Sequence, residues 1–312
     1  MMVVANTNSR SHQPQRIIDA VDKKLLTADV NALASSDCLM VLGDYAVYCA
    51  PANKLPTVLR EIGRLRECAF REVGEGTGKA IDLDEYDQHY QHLFVWSQSK
   101  QEVLGAYRVA LTKQLLAQRG VDALYTHSLF DFDAALFDRL GPAMELGRSF
   151  VNPHWQGSTR VLRLLWAGIS MLLDRHPDVR HLFGPVSISP QFSNVGRFLI
   201  MTAIQLHHMD ADLKSLVRPR HAPPGVNSVS EQRLLDISAG LSDPGRLSRF
   251  LQRLDRGMKL PMLIKHYIEL KGRFAGFSVD NGFNGTLDGL VFVRVQDISP
   301  KMRLRLTGSR SA

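Results

Sequence analysis

Charged residues recur inside or beside apolar segments in the first half of the chain, and they constrain its fold more than any other feature. They form an ordered series with one aromatic member: Arg66, Phe70, Asp84, Asp87, Arg108, Glu145 and Arg148. An unpaired charge is costly in apolar surroundings, so each of these charges needs a partner or access to water. The fold therefore either pairs them structurally or gathers them into a polar site, and we expect a site.

The composition is typical of a soluble globular protein. The 312 residues, 45% apolar and 22% charged, suit one large domain or two small ones. No segment approaches the ~18–20 apolar residues that cross a bilayer, and the N-terminus lacks the continuous apolar segment of a signal peptide. Cys38, Cys49 and Cys68 have neither metal-site nor disulfide spacing, so we expect reduced thiols and a cytoplasmic protein.

The formal net charge of +7 favours an acidic partner, such as an anionic lipid surface, nucleic acid or an acidic carrier protein. We do not expect nucleic acid, because the basic residues are scattered and no zinc-finger, RRM or homeodomain signature is present. We expect no metal site either, since His207, His208 and the isolated histidines lack ligand spacing. The basic residues at 301–312 are compatible with peripheral contact to anionic headgroups at the inner face of a membrane.

Apolar periodicity predicts an α/β (α+β) fold. Residues 1–30 are predicted to be a polar arm with a short helix at about 16–26, residues 31–300 one domain, and residues 301–312 a basic tail. Within the domain, a sheet meander precedes a strand–helix–strand unit. Residues at about 208–257 are predicted to be a helical insertion.

The order of these residues resembles the acyl-carrier-dependent branch of the GNAT N-acyltransferase superfamily. That branch holds acyl-homoserine-lactone synthases, N-acyl amino acid synthases and ornithine-lipid N-acyltransferases. The closer resemblance is to the ornithine-lipid type, often labelled hemolysin-like, and it spans about residues 38–297. Its phrases stand here in order as LREIGRLRE, FREVGEGTG, DEYDQHYQHLFVW, GAYR, ELGRSFV, LLWAGI, LFGPVSIS, LPMLIKHYIELKG and FN-x-T.

The resemblance implies a GNAT-like, mostly antiparallel central sheet flanked by helices, with a C-terminal helical elaboration. It implies transfer of a fatty acyl group, of the 3-hydroxyacyl type, from acyl carrier protein to the α-amino group of an amino acid. L-ornithine is the first acceptor that it suggests, with lyso-ornithine lipid as the product. The cosubstrate would be an acyl-phosphopantetheine thioester on the carrier protein or on coenzyme A, with no permanently bound cofactor.

Two other functions stay open. One is an acyl-homoserine-lactone-like or other N-acyl amino acid synthase, although the tryptophan that the synthases carry after Arg-x-x-x-Phe is missing from this chain. The other is a non-catalytic GNAT-like module that binds a carrier protein or a membrane. The departure of the phosphate loop from the GNAT pattern favours this module, whereas the complete charged series argues against it.

Glu145, Arg148 and Arg108 are the predicted catalytic residues. The attacking amine must lose a proton before it can react with a thioester, so a base is needed, and Glu145 is the candidate. The structural alternative is a strand glutamate paired with Arg148. Residues three apart point to opposite faces of a regular strand, so a β-bulge at Gly147 would let both reach one cavity. Arg108 either pairs with Glu145 or binds the substrate carboxylate.

Arg66, Phe70, Asp84 and Asp87 are the predicted substrate-binding residues. Arg66 shares a helix face with Phe70 and needs carboxylate partners if it is buried, and the two aspartates are the obvious ones. They would then form a structural clamp that closes the pocket. Alternatively, the aspartates bind a cationic amino-acid side chain.

A loop that leads into a predicted helix contains His154, Gln156, Gly157, Ser158, Thr159 and Arg160. The resemblance places the phosphate of phosphopantetheine there, on backbone N–H groups at the helix N-terminus. Only Gly157 matches the GNAT pattern cleanly, and an ordinary helix cap is the alternative. Arg160 and Arg163 are candidates for contact with an acidic carrier protein.

Overall fold

A computed structural model describes residues 13–223, 225 and 228–307. The strands, numbered along the chain, are β1 Cys38–Leu42, β2 Tyr45–Pro51, β3 Gln91–Ser97, β4 Glu102–Leu111, β5 Phe130–Phe132, β6 Ala143–Val151, β7 His181–Ile188, β8 Val217–Pro219, β9 Arg273–Asp280 and β10 Thr286–Arg294. Eight of them form one sheet in the order β1-β2-β3-β4-β6-β7-β10-β9, and β5 pairs with β8 separately. In the large sheet only β6 and β7 are parallel neighbours.

Helices lie on both faces of this sheet. They are α1 Lys23–Asn31, α2 Val58–Glu72, α3 Thr112–Arg119, α4 Ala135–Leu140, α5 Thr159–Arg175, α6 Asn194–His207, α7 Ala211–Ser215, α8 Ser228–Ala239, α9 Pro244–Leu254, α10 Met262–Glu269 and α11 Pro300–Thr307. Strand β3 shows why both faces are covered, because its side chains alternate between two apolar cores. Leu93 and Val95 pack in the core of α5, whereas Phe94 and Trp96 pack in the core of α2. The predicted α/β class, with a mostly antiparallel sheet flanked by helices, is confirmed.

The N-terminal arm differs from the prediction of a helix at about 16–26. Helix α1 begins at Lys23, because the side chain of Asp22 accepts a hydrogen bond of 2.7 Å from the backbone N–H of Lys24 and caps the helix there. The preceding residues instead run along the loop after α2, where the N–H of Gln15 donates to the carbonyl of Gly78 at 2.8 Å. Residues 1–12 of the predicted arm lie outside the described residues.

The C-terminal parts contain more structure than the sequence suggested. The predicted insertion at about 208–257 contains α7, β8, α8 and α9, and α8 and α9 pack against α6. The start of the predicted basic tail is helix α11, which packs on α5. Residues 308–312 of that tail lie outside the described residues, and the domain boundaries themselves stay a prediction.

A β-bulge interrupts the pairing of β4 with β6. Ala106 pairs with Phe150 and Arg108 pairs with Gly147, so two steps on β4 oppose three on β6. The irregular residue is Arg148, whose φ is +49°. The bulge predicted at Gly147 is therefore centred one residue later. A left-handed arginine is strained, and such strain persists where surrounding contacts hold the residue in place.

Strands β6 and β7 separate soon after they begin to pair. Their parallel register ends with Glu145 opposite Phe183. The next residue on β7 is Gly184, where a Cβ would lie 2.0 Å from the carbonyl oxygen of Leu146. Pro185 follows and has no N–H to donate. The separation leaves a cavity between the two strands, in the middle of the sheet.

A membrane-spanning helix is not found among the described residues. Across those residues, no helix combines the length and the apolarity that crossing a bilayer requires.

Candidate active site

A buried cluster of paired arginines and aspartates lies between α2 and β4. Arg66 on α2 donates to Asp87 at 2.8 Å and to Asp82 at 3.1 Å. Arg108 on β4 contacts Asp84 and lies 3.4 Å from Asp87. Four of these five residues are only 1% exposed, and Asp84 is the exception. We call these five residues the Arg–Asp cluster. The clamp hypothesis gave Arg66 the partners Asp84 and Asp87, but Arg66 pairs with Asp82 and Asp87, and Asp84 contacts Arg108 instead. The role of the cluster as a clamp on the pocket stays a prediction.

Neighbouring arginines hold two carboxyl groups of the Arg–Asp cluster ionised, those of Asp82 and Asp87. Burial alone would raise the pKa of Asp82, but the charges of Arg148 and Arg66 outweigh it and the pKa lies below the ordinary value. The pKa of Asp87 is lowered in the same way, with burial opposed by Arg66 and Arg108. Together with Arg148, the cluster has three arginines for its three aspartates, and this pairing stabilises the fold at the base of the site.

Arg108 lies among tyrosine rings rather than beside Glu145. Its guanidinium carbon is 5.6 Å from the ring centre of Tyr86, 5.1 Å from that of Tyr90 and 5.0 Å from that of Tyr125. Such contacts suit a planar guanidinium with an aromatic face. Its Nε and Nη2 atoms have no hydrogen-bond partner among the described residues.

Glu145 is buried and both of its oxygens are occupied. Oε2 accepts the hydroxyl of Tyr90, and Oε1 accepts the backbone N–H of Thr126 at 2.8 Å. The Tyr90 hydroxyl in turn accepts the N–H of Tyr125 at 2.8 Å. Burial raises the pKa of Glu145, against the lowering effect of the hydrogen bond from Tyr90. Glu145 thus fixes the turn that carries Tyr125, and it lines neither of the two cavities described next.

Arg148, whose φ is positive, contacts two aromatic rings and two carboxylates. Its guanidinium carbon lies 4.7 Å from the ring centre of Tyr125 and 4.5 Å from that of Phe283. Its Nε is 3.4 Å from Asp82 and its Nη2 is 3.6 Å from Asp84. Burial would lower the pKa of Arg148, but the neighbouring Asp82, Tyr125 and Asp84 raise it well above the ordinary value, so the side chain stays charged.

Two cavities meet at Arg148 and Tyr125. The first, which we call the β6–β7 cavity, has a volume of about 360 Å³ and lies where those strands separate. Its walls are mainly apolar and aromatic, and they include Phe70, which packs edge-on against Phe283 at 4.9 Å. The second, which we call the Asp280 cavity, has a volume of about 320 Å³. Its lining is polar and includes Thr77, Lys79, Asp82, Asp84, Ser128, His221 and Asp280.

The hydroxyl of Tyr125 joins the two cavities chemically. It donates to Asp280 at 2.5 Å and accepts from Nη1 of Arg148 at 3.1 Å. A molecule in either cavity would therefore face the same arginine and the same phenol. This arrangement provides two compartments with one shared, charged wall.

Two further carboxylates line the β6–β7 cavity, and neither was among the sequence candidates. Asp288 on β10 is 2% exposed and accepts hydroxyls from Ser187 at 2.7 Å and Thr286 at 3.3 Å. Glu75 follows α2 and forms no side-chain hydrogen bond or ion pair with a described residue. Burial, reinforced by Asp288, raises the pKa of Glu75 to about 8, and burial raises the pKa of Asp288 to about 7.

A sequence signal for Glu75 exists in the glycine before it. Gly74 has a φ of +73°. Its N–H donates to Arg71 at 3.0 Å and the N–H of Glu75 donates to Phe70 at 2.8 Å, which is a Schellman helix end. The residue at the position of Glu75 in this motif is commonly apolar and packs back on the helix. A glutamate there, next to the aromatic Phe70, is a local inconsistency of the kind that marks functional sites.

The predicted phosphopantetheine loop lies apart from both cavities. The short turn Pro153–Trp155 and Gly157, with a φ of +81°, lead into α5. Gln156 donates to Glu72 at 2.8 Å, and Arg160 lies 4.7 Å over the ring of Tyr45. Ser158 stands at the N-cap but its side chain makes no capping hydrogen bond, so the first-turn N–H groups of α5 are open to a ligand.

A basic surface lies beside the β6–β7 cavity. Its exposed members, on α9 and the segment after it, are Arg246, Arg249, Arg253, Arg256 and Lys259. None of the five forms a side-chain ion pair with a described residue. Lys259 also lines the cavity, so this basic α9 surface continues to its edge.

In the described ranges, no group of three or more His, Cys, Asp and Glu side chains is arranged to hold a metal ion.

Comparison with known proteins places this site in a family. Residues 65–167 match the family of the Acetyltransferase (GNAT) domain. A coenzyme-A-dependent acyl-homoserine lactone synthase, BjaI, aligns with 86% of this chain and 91% of its own, at 12% identity and a TM-score of 0.39. At that score the likeness carries no argument about the site.

Two relatives are closer in sequence. A glycine N(alpha)-acyltransferase of Bacteroides thetaiotaomicron is 32% identical over 93% of this chain and 89% of its own. A glycine N(alpha)-acyltransferase of Phocaeicola vulgatus is 30% identical over 93% of this chain and 92% of its own. The predicted GNAT membership is confirmed at this level. The chain belongs to the GNAT acyltransferase family that includes these two proteins.

Proposed function

We propose that this protein transfers a fatty acyl group from an acyl-phosphopantetheine thioester to the α-amino group of an amino acid, with glycine as the first acceptor. The observation that carries the proposal is the meeting of an apolar and a polar cavity at Arg148 and Tyr125. The proposed reaction brings an apolar acyl chain and a polar amino acid together at one reacting carbon. Holding them on either side of a shared wall supplies the proximity that such a reaction requires.

The β6–β7 cavity suits the acyl donor. Residues 146–149 and 185–187, with Ser189, face it from the two separated strands, where the parallel ladder has ended. Strand edges that lack a partner offer backbone N–H and C=O groups, and the amides of phosphopantetheine are suited to pair with them. The phosphate would then lie at the start of α5, on the predicted residues His154, Gln156, Gly157, Ser158, Thr159 and Arg160.

An acidic carrier protein is the proposed bearer of the donor. The basic α9 surface, with Arg249 and Arg253 on its outer face, lies at the edge of the donor cavity. Arg160, which is exposed on the first turn of α5, is a further positive charge that such a partner could contact. Complementary charge of this kind steers association and fixes orientation. Coenzyme A is the alternative donor, and lipid products would favour peripheral contact of a cytoplasmic enzyme with the membrane.

The Asp280 cavity suits the amino acid. The guanidinium of Arg148 can bind the substrate carboxylate through its fork, because its contacts with Asp82 and Asp84 are long, at 3.4 and 3.6 Å. Arg148 and the Tyr125 hydroxyl would also stabilise the oxyanion that forms on the thioester carbonyl. Glu145 positions Tyr125 through the Tyr90 hydroxyl, which hydrogen-bonds to both. Arg108 contacts the ring of Tyr125 directly.

Glycine is favoured by the names of the two relatives. L-ornithine, with a 3-hydroxyacyl group and lyso-ornithine lipid as product, is the second candidate. One observation favours it: Asp280 lines this cavity and forms no ion pair with a described residue. Its negative charge would accommodate a cationic side chain.

The test is mass spectrometry of lipids from cells that express the wild type, Arg148→Ala or Glu145→Gln. We expect an N-acyl amino acid in the wild type, whose mass names the amine, and none above background with Arg148→Ala. Product from Glu145→Gln would remove Glu145 as an essential base while keeping the enzyme. If the folded wild type makes no N-acyl product with carrier protein and amino acids present, the non-catalytic binding module becomes the better account.

A further inference from the structure

We infer that Glu75 accepts the proton of the attacking amine and that Asp288 tunes it, an inference that rests on the proposed N-acyl transfer. Both carboxylates line the β6–β7 cavity, in which the thioester is proposed to lie. The amine of an amino acid held in the Asp280 cavity would reach this cavity past Arg148 and Tyr125, which line both. Arg148 and Tyr125 line it as well, so the reacting carbon and the two carboxylates share one compartment.

The turn that carries Glu75 is held rigidly in place. On one side, the side-chain amide of Asn284 donates to the carbonyl of Gly74 at 2.7 Å. On the other side, the hydroxyl of Ser189 donates to the carbonyl of Val73. Asn284 belongs to the β9–β10 connection and Ser189 directly follows β7, so both walls of the cavity position this turn. A carboxylate placed in this way is preorganised for one task.

Pairing separates Glu75, which is partly buried, from the buried acids. The three aspartates of the Arg–Asp cluster pair with the two arginines of the cluster and with Arg148. None of these three arginines is therefore without a carboxylate partner. Asp280 is bound by the Tyr125 hydroxyl, and Glu145 by Tyr90 and Thr126. Glu75 has neither a hydrogen-bond donor nor a cation in direct contact among the described residues. An ammonium group is the partner that this carboxylate lacks.

Each proton of the reaction then has a stated acceptor. The Glu75 carboxylate takes one proton from the substrate ammonium, and the neutral nitrogen forms a C–N bond with the thioester carbonyl. The C–S bond breaks as the tetrahedral intermediate collapses. The thiolate leaves with the second proton lost by the nitrogen, and Glu75 returns its proton to solvent. No oxidant, reductant or metal is required.

Several groups face the Glu75 carboxyl from the elements around the cavity. Arg148 on β6 favours its ionised form, and Asp288 on β10 opposes it. The other titratable residues of the lining are Tyr107, Tyr125, Lys259 and Tyr267. Activity requires the ionised carboxylate, so the rate should rise with pH through the pKa of about 8 that burial and Asp288 give to Glu75.

The experiment compares purified wild type, Glu75→Gln and Glu75→Asp, with the exposed Glu231→Gln on α8 as the matched control. The donor is a palmitoyl thioester of acyl carrier protein, and the acceptors are glycine and aminooxyacetate, whose nitrogen is uncharged at neutral pH. We expect Glu75→Gln to lower kcat with glycine by about 10²-fold and with aminooxyacetate by less than about 5-fold. Glu75→Asp should recover part of the rate, and Glu231→Gln should match the wild type.

The pH–rate profile of Asp288→Asn is a second readout, because a purely structural role of Glu75 would not shift it. Removing this negative neighbour lowers the pKa of Glu75, so the rising limb of the pH–rate profile should move to lower pH. The inference is overturned if folded Glu75→Gln keeps its glycine rate, if it loses both acceptors equally, or if Asp288→Asn leaves the limb in place. If the wild type acylates neither acceptor, the proposed function itself fails and this inference fails with it.

Discussion

The Arg–Asp cluster and the two cavity carboxylates Glu75 and Asp288 contain the same chemical group, yet they differ in how that group is paired. In the cluster, Asp87 has two arginine partners, and its pKa lies below the ordinary range. In the pair, Glu75 has no direct partner among the described residues, and its pKa is raised to about 8. Burial is common to both regions. Pairing therefore separates charges that hold the fold from charges that are free to exchange a proton.

The largest expected effect is on stability, in the paired region. Arg66→Met would leave Asp82 and Asp87 buried without their main partner, and we expect a loss of about 3–5 kcal/mol in the free energy of unfolding. Urea denaturation followed by circular dichroism measures it. Arg60→Met, at an exposed position on the same helix, is the matched control and should change stability by less than about 0.5 kcal/mol. Equal losses in the two variants would contradict the assigned pairing.

The same aspartates predict how stability depends on pH. The folded pKa values of Asp82 and Asp87 are lowered, so their contribution is present above the unfolded value of about 3.9 and is lost as pH falls through the folded values. The urea midpoint of the wild type should therefore fall progressively below about pH 5.

The next effect tests the wall between the cavities. Arg148→Ala should lower kcat/KM for N-acyl transfer by about 10²-fold, because both the carboxylate grip and the oxyanion contact are lost. Steady-state rates with varied amino acid measure it. Arg148→Lys keeps the charge but lacks the fork and should recover only part of the rate. Full activity of Arg148→Lys would show that charge alone is needed there.

How far the sequence predicted this site depends on how local its parts are. The helix face that Arg66 shares with Phe70 is a local pattern, and both residues lie on α2 as expected. The left-handed Arg148 depends on rings from Tyr125 and Phe283, which other elements bring to it, and no local pattern encodes it. The proximity of Glu75 and Asp288 depends likewise on distant contacts at the end of α2, such as the hydrogen bond from Asn284 to Gly74. Tyr125 itself lies in a short turn between α3 and β5, a region for which the sequence predicted no element.

A smaller effect distinguishes the two candidate bases. Glu145→Gln should lower kcat by about 10-fold, since the amide disturbs the hydrogen bonds that position Tyr90 and Tyr125. Its pH–rate profile should keep the wild-type shape, because in this account the titrating base is Glu75. A Glu145→Gln enzyme whose rising limb has vanished would instead make Glu145 the base and reverse the comparison.

The smallest effect concerns charges that are exposed and unpaired. Arg249→Glu combined with Arg253→Glu should raise KM for the carrier-bound donor by about 3- to 10-fold at low salt, with kcat unchanged. The exposed Arg119→Glu on α3 is the control and should have no effect. An increase that persists at high salt, or appears equally with a short pantetheine thioester, would argue against carrier docking at the basic α9 surface.

The most direct test of the account is a stoichiometric assay with radiolabelled glycine and palmitoyl–acyl carrier protein, run on wild type, Glu75→Gln and Glu231→Gln. The account predicts one N-palmitoylglycine for each thiol released by the wild type and by Glu231→Gln, and about 10²-fold slower formation by Glu75→Gln. Thiol release without an N-acyl product, or equal rates from all three proteins, would contradict it.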